Sequence, residues 1–179
     1  TVDSTTDGNG YVKHMTLWEL KELDAGKKFG ESFAGTRIPT LDEVFEAIGK
    51  KLFINVEIKS ETQDTDGVEQ AVADCIAHHG MQSRVIVSSF SPLALQRFRN
   101  IMPEVPIGFL QAPGYTFFPG VMETLPHEAR HPHEAMIDAD YMQWARQHNW
   151  RVNAWTVNDP LRAVELHNLG VDAIITDVP

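Results

Sequence analysis

The stretch LFINVEIKSETQDTDGVEQAVADCIAHHGMQSRVIVSSF, residues 52–90, decides the fold class. Its opening, LFINVEI (Leu52–Ile58), is a short apolar run of strand length. From Gly67 to His79 apolar residues recur at helical spacing, at Val68, Ala71, Val72, Cys75 and Ile76, and Gly80 stops the pattern. RVIVSSF (Arg84–Phe90) is strand again. Strand, helix and strand in this order predict a parallel pair joined by a right-handed crossover.

The rhythm continues toward the C-terminus. Ser91-Pro92 is a helix start with Pro at the first helical position, and the helix runs to about Met102. Pro106–Leu110 is a third strand. Residues 111–136 contain four prolines and read as irregular. Asp138–His148 is helical, RVNAWTV (Arg151–Val157) is a strand, Asp159-Pro160 opens another helix, and Ala173–Thr176 is a fifth strand. Five parallel strands fit either a doubly wound sheet or part of a (β/α)8 barrel. No glycine-rich phosphate loop follows the first strand, which favours the barrel.

Toward the N-terminus the chain is less regular. Thr16-Leu17-Trp18-Glu19 and Thr40-Leu41-Asp42-Glu43 match the capping box, so each predicts a helix start, the first helix stopping at Gly26. The second helix carries Leu41, Val44, Phe45 and Ile48 on one face. The start at Thr1 and the stop at Pro179, directly after a strand, lead us to expect a piece of a longer protein.

Composition narrows the function. The 179 residues carry 15 Lys and Arg against 25 Asp and Glu, a formal charge of −10, and no basic cluster suited to nucleic acid. No apolar run approaches the roughly 18 residues of a membrane helix. One cysteine, Cys75, excludes a disulfide within the chain and makes a reducing, cytoplasmic compartment the simpler expectation.

In a parallel barrel the chemistry sits at the C-terminal strand ends. The polar residues expected there are Glu57, Lys59, Ser88, Ser89, Asn153, Thr156, Asn158 and Asp177. Glu57 and Lys59, two apart on a strand, share a face. They are either a simple ion pair or a carboxylate for a divalent cation beside an ammonium for an anion such as phosphate. Trp155 either packs in the core or walls a small pocket. Ser88 and Ser89 lack a nucleophile elbow. His127, His131 and His133 match no helical ligand pair and read as solvated loop residues.

The segments TVDSTTDGNGYVKHMTLWEL, RIPTLDEVFEAI, INVEIK, VIVSSFSP, VNAWTVNDP and GVDAIITDVP, in this order, resemble the glycerophosphodiester phosphodiesterase family over nearly the whole chain. The resemblance implies an α/β fold, a TIM (β/α)8 barrel represented here by strands four to eight. Residues 1–37 would be a family insertion and 38–179 the C-terminal part of the barrel. It implies metal-dependent hydrolysis of a small-molecule glycerophosphodiester to glycerol 3-phosphate and an alcohol. The cofactor would be a divalent cation, Mg or Ca. Glu57 matches a metal ligand, Lys59 a lysine near the phosphate, and Trp155 an aromatic at the substrate pocket. The family's His-Arg, Glu-x-Asp and His-Asp motifs on the first three strands are absent here, so these 179 residues alone are expected to be inactive. The alternatives are a non-catalytic relative that binds phosphate esters, or a half-barrel completed by another chain.

Overall fold

The computed structural model describes residues 1–60, 63–115 and 119–179, with the Pro119 side chain left aside. Contacts divide it into two compact units, Thr1–Lys50 and Lys51–Pro179. Among the described residues no helix is long and apolar enough to cross a membrane.

The first unit is organised by hydrogen bonds more than by a core. Both capping boxes form: Thr16 and Glu19 cap α1 (Leu17–Glu22), and Thr40 and Glu43 cap α2 (Leu41–Val44), which widens into a π turn over Phe45–Gly49. Glu43 also pairs with Lys21, so α1 and α2 are tied together. The Asp24 carboxylate accepts N–H groups from Gly35 (2.7 Å), Gly26 and Lys27 (both 2.9 Å). These donors, Gly35 foremost, hold it below the usual carboxylate range. A side chain on Gly26 would meet the Phe33 carbonyl oxygen at 1.8 Å, so only glycine fits where the loop folds back.

The second unit alternates strands and helices: β1 (Ile54–Glu57), α3 (Val68–His78), β2 (Val85–Ser89), α4 (Pro92–Ile101), β3 (Ile107–Gln111), α5 (Pro119–Thr124), β4 (Ala129–Pro132), α6 (Ala139–Gln147), β5 (Arg151–Ala154), α7 (Pro160–Leu169) and β6 (Ala173–Ile174). Every neighbouring strand pair is parallel, and the spatial order is the chain order, β1 to β6. An order that never reverses means all crossovers wind the same way and leave one sheet face for the helices, unlike a doubly wound sheet. Phe90, just past β2, and Trp155, just past β5, have ring centroids 5.5 Å apart. A flat sheet would hold strands three places apart roughly 14 Å from each other. The sheet therefore curls, as a barrel wall does.

Among the described residues there are six strands, one more than the sequence predicts. The extra one, β4, lies in the stretch read as irregular, because Ala-Arg-His-Pro has neither apolar alternation nor β-branched residues. All four residues are nevertheless buried.

The core lies between sheet and helices. Val56, Val87, Ile107, Phe109 and Val152 from the strands meet Ile76, Leu95, Phe98, Met142 and Leu166 from the helices, all at most 9% exposed. Each such side chain contributes about 1.5–3 kcal/mol by leaving water. Caps locate two helices as expected: Ser91 and Asp159 accept N–H groups of α4 and α7, and left-handed Gly170 ends α7; Asp138, read as helical, caps α6 instead.

Candidate active site

Parallel register determines which side chains share the concave face. Glu57 lies opposite Ser88, and Ser88 opposite Gly108. Leu110 lies opposite His131, and Trp155 bridges to His133. The concave face at the C-terminal strand ends therefore carries Glu57, Lys59, Ser88, Phe90, His131, His133, Asn153 and Trp155.

Glu57 and Lys59 open onto a pocket of about 320 Å³ whose far side is formed by Phe90, Ala112 and Tyr115. Lys59 Nζ lies 2.6 Å from Glu57 Oε1, with the lysine side chain 78% exposed and the glutamate 31%. The pair is thus an ion pair at the mouth of the pocket, reachable from solvent and lightly held. One wall is charged and the other aromatic.

Trp155 stands one contact away. Its ring meets Phe90 edge-on, and Phe90 meets Tyr115 at 5.4 Å in the same way. Its indole Nε1 donates to the His131 carbonyl at 2.6 Å, and His133 packs against its ring at 5.1 Å. The half-buried ring thus packs behind Phe90, which lines the pocket.

The other expected polar residues separate. Ser89 also borders this pocket, but its hydroxyl is engaged: it donates to the Ile58 carbonyl (2.6 Å) and accepts from Ser91 N–H (3.0 Å), fastening β1 to the start of α4. Ser88 faces the cup, fully buried, and its hydroxyl has no hydrogen-bond partner among the described residues. Asn158 joins Thr176 and Asp177 in a separate cluster at the end of β6.

The histidines overturn their expectation. His131 and His133 are on or beside β4 and not in a solvated loop, because a strand forms there. His131 is 1% exposed, and burial pushes its pKa down to about 4, so the ring is neutral. His127 stacks on Trp150 at 4.5 Å and is likewise lowered to about 4 by burial. Sequence reasoning missed Phe90, Gly108 and His131 as concave-face residues. Phe90 was within reach of the alternation rule, being two residues beyond Ser88.

The chain matches the model of the glycerophosphoryl diester phosphodiesterase family over residues 1–179. It is 39% identical over 180 residues to a glycerophosphodiester phosphodiesterase of Caldanaerobacter subterraneus subsp. tengcongensis, covering all of this chain and 74% of that protein. A glycerophosphodiester phosphodiesterase of Bacillus altitudinis is 30% identical over 182 residues, covering 99% and 74%. Among solved structures, a phosphodiesterase of Oleispira antarctica in complex with the product sn-glycerol-3-phosphate superposes with a TM-score of 0.86 at 30% identity, covering 99% of this chain and 72% of that one. Sequence, strand order and these relatives agree: the chain belongs to the glycerophosphoryl diester phosphodiesterase family.

Proposed function

We propose that the pocket lined by Glu57, Lys59 and Phe90, with Trp155 packed behind Phe90, is the phosphate-ester site of a divalent-cation-dependent glycerophosphodiester hydrolase. The observation that carries this reading is one carboxylate and one ammonium, 2.6 Å apart, at the mouth of one pocket at the C-terminal strand ends. Residues 1–37 correspond in this reading to the family insertion.

Glu57 offers a half-exposed carboxylate oxygen, a donor type that suits Mg²⁺ or Ca²⁺, and it would hold the ion together with oxygens from beyond this pocket. When bound, such an ion supplies positive charge to a phosphoryl oxygen. Lys59, highly exposed, swings to a second phosphoryl oxygen and neutralises charge there. Trp155 and Phe90 exclude water from one side of the ester. With no His-Arg or His-Asp pair in its sequence, the 179-residue chain is expected to bind phosphate esters without turning them over.

Calorimetric titration with sn-glycerol 3-phosphate, with and without Ca²⁺ or Mg²⁺, tests the reading. The wild-type chain binds, more tightly with the cation. Glu57→Gln removes the cation-dependent part and Lys59→Ala weakens both. Undiminished cation dependence in Glu57→Gln would take Glu57 out of the site.

A further inference from the structure

We propose that Gly108 and His131 form a seat that fixes Trp155 against Phe90, a residue lining the pocket, with His131 as a positioning residue. The role of Trp155 behind the pocket wall rests on the reading above.

The inward positions of a parallel barrel are ordinarily filled by branched aliphatic side chains. Here β3 presents Gly108, and β4 folds an imidazole into the space. A Cβ on Gly108 would lie 2.6 Å from His131 Nε2 and 2.9 Å from its Cδ2, so the ring occupies the volume a side chain would take. From the opposite side Asn153 Nδ2 lies 2.9 Å from the same Nε2. In the tautomer with its proton on Nδ1, Nε2 accepts this amide hydrogen, which a leucine of similar size could not do. The imidazole is thereby clamped between β3 and β5. The main-chain carbonyl of the same residue accepts the Trp155 indole N–H at 2.6 Å. One residue of β4 therefore holds two inward side chains, Asn153 of β5 by its ring and Trp155, just past β5, by its backbone. Anything that lifts the ring off Gly108 moves that carbonyl and the indole hanging from it.

The test uses the 179-residue chain and two readouts: deuterium exchange of the Trp155 indole N–H by NMR, and affinity for sn-glycerol 3-phosphate by calorimetry. Gly108→Ala is expected to speed exchange and weaken binding by about tenfold each, since sub-ångström misplacement is costly in a positioned site. His131→Ala loosens the indole as well. The double variant Gly108→Ala/His131→Ala returns to the level of His131→Ala alone, because the new methyl then meets no ring. His131→Gln, which keeps an acceptor for Asn153, recovers part of the loss. Wild-type behaviour in Gly108→Ala, or strictly additive losses in the double variant, overturns the seat. Should Gly108→Ala fail to fold, Asn153→Ala releases the ring from the other side and must speed the same exchange; unchanged exchange there also overturns the proposal. If the wild-type chain binds no glycerol 3-phosphate, the functional reading falls, while the exchange rates still decide the seat.

Discussion

Glu57–Lys59 and Glu69–Arg97 are both carboxylate–cation pairs near the C-terminal end of the sheet, and they are built in opposite ways. Glu69, in the first turn of α3, is 1% exposed. Arg97 of α4 donates to it from Nε at 2.8 Å and lies at 2.7 Å through Nη2, Thr65 donates to its other oxygen, and Arg97 Nη1 reaches the Gln63 carbonyl at 3.0 Å. The glutamate is held by two side chains at once and is closed off from solvent, so the pair ties α3 to α4. Glu57 and Lys59 have one bond to each other and an open side. A closed pair reads as architecture and an open pair as a site, a distinction that composition alone does not make.

The contrast can be broken most directly by removing each carboxylate. Glu69→Gln is expected to cost about 3 kcal/mol of folding stability, the low end for removing one partner of a buried pair because Arg97 keeps some solvent. Glu57→Gln should stay within about 0.5 kcal/mol of wild type, as surface substitutions do. Urea unfolding of both variants measures this, and equal losses would erase the distinction. Affinity comes next: Lys59→Ala should weaken glycerol 3-phosphate binding about tenfold, the order of one charge-assisted hydrogen bond. The wild-type affinity should drop in 1 M salt, where screening acts within about 3 Å.

Acid offers a finer separation. Burial tends to raise the Glu69 pKa, but the hydrogen bonds from Thr65 and Arg97 outweigh it and leave it lowered. A carboxylate lowered on folding stabilises above its unfolded pKa, near about 4.3, and loses that contribution as pH falls through the folded value. The melting-temperature gap between wild type and Glu69→Gln should therefore be full at pH 7 and shrink below about pH 4. A gap independent of pH would mean that shape, and not charge, makes the pair. The smallest expected effect concerns the floor of the cup. With a pKa near 4, His131 should show no titration by NMR between pH 5 and 8, and a midpoint near the ordinary histidine value would place it in contact with water.

Much of this was legible in the sequence where one local rule was strong. Capping residues Thr16, Thr40, Ser91 and Asp159 placed four helix starts, because a short polar side chain before an apolar repeat has few other uses. The spacing of Glu57 and Lys59 placed both on one face for the same reason. β4 escaped because its burial is enforced by its neighbours and not by its own residues. Arg130 is tolerated inside the helix layer only because Trp150, Trp144 and Phe109 surround its guanidinium at 4.2, 5.2 and 5.4 Å, and those partners are scattered along the sequence. Burial lowers its pKa to about 10, which still leaves it charged at neutral pH. The seat on Gly108 was equally hidden, since a glycine in a strand announces a close approach but not what approaches.

Arg130 and His131 are chain neighbours aimed at opposite sides of one strand, each tailored to its own surroundings. A single inserted or deleted residue inside this tetrapeptide would exchange them, driving a guanidinium onto the concave face and an imidazole among the indoles. Homologues should accordingly tolerate length variation in the segment leading up to this strand far more readily than any frame slip within it.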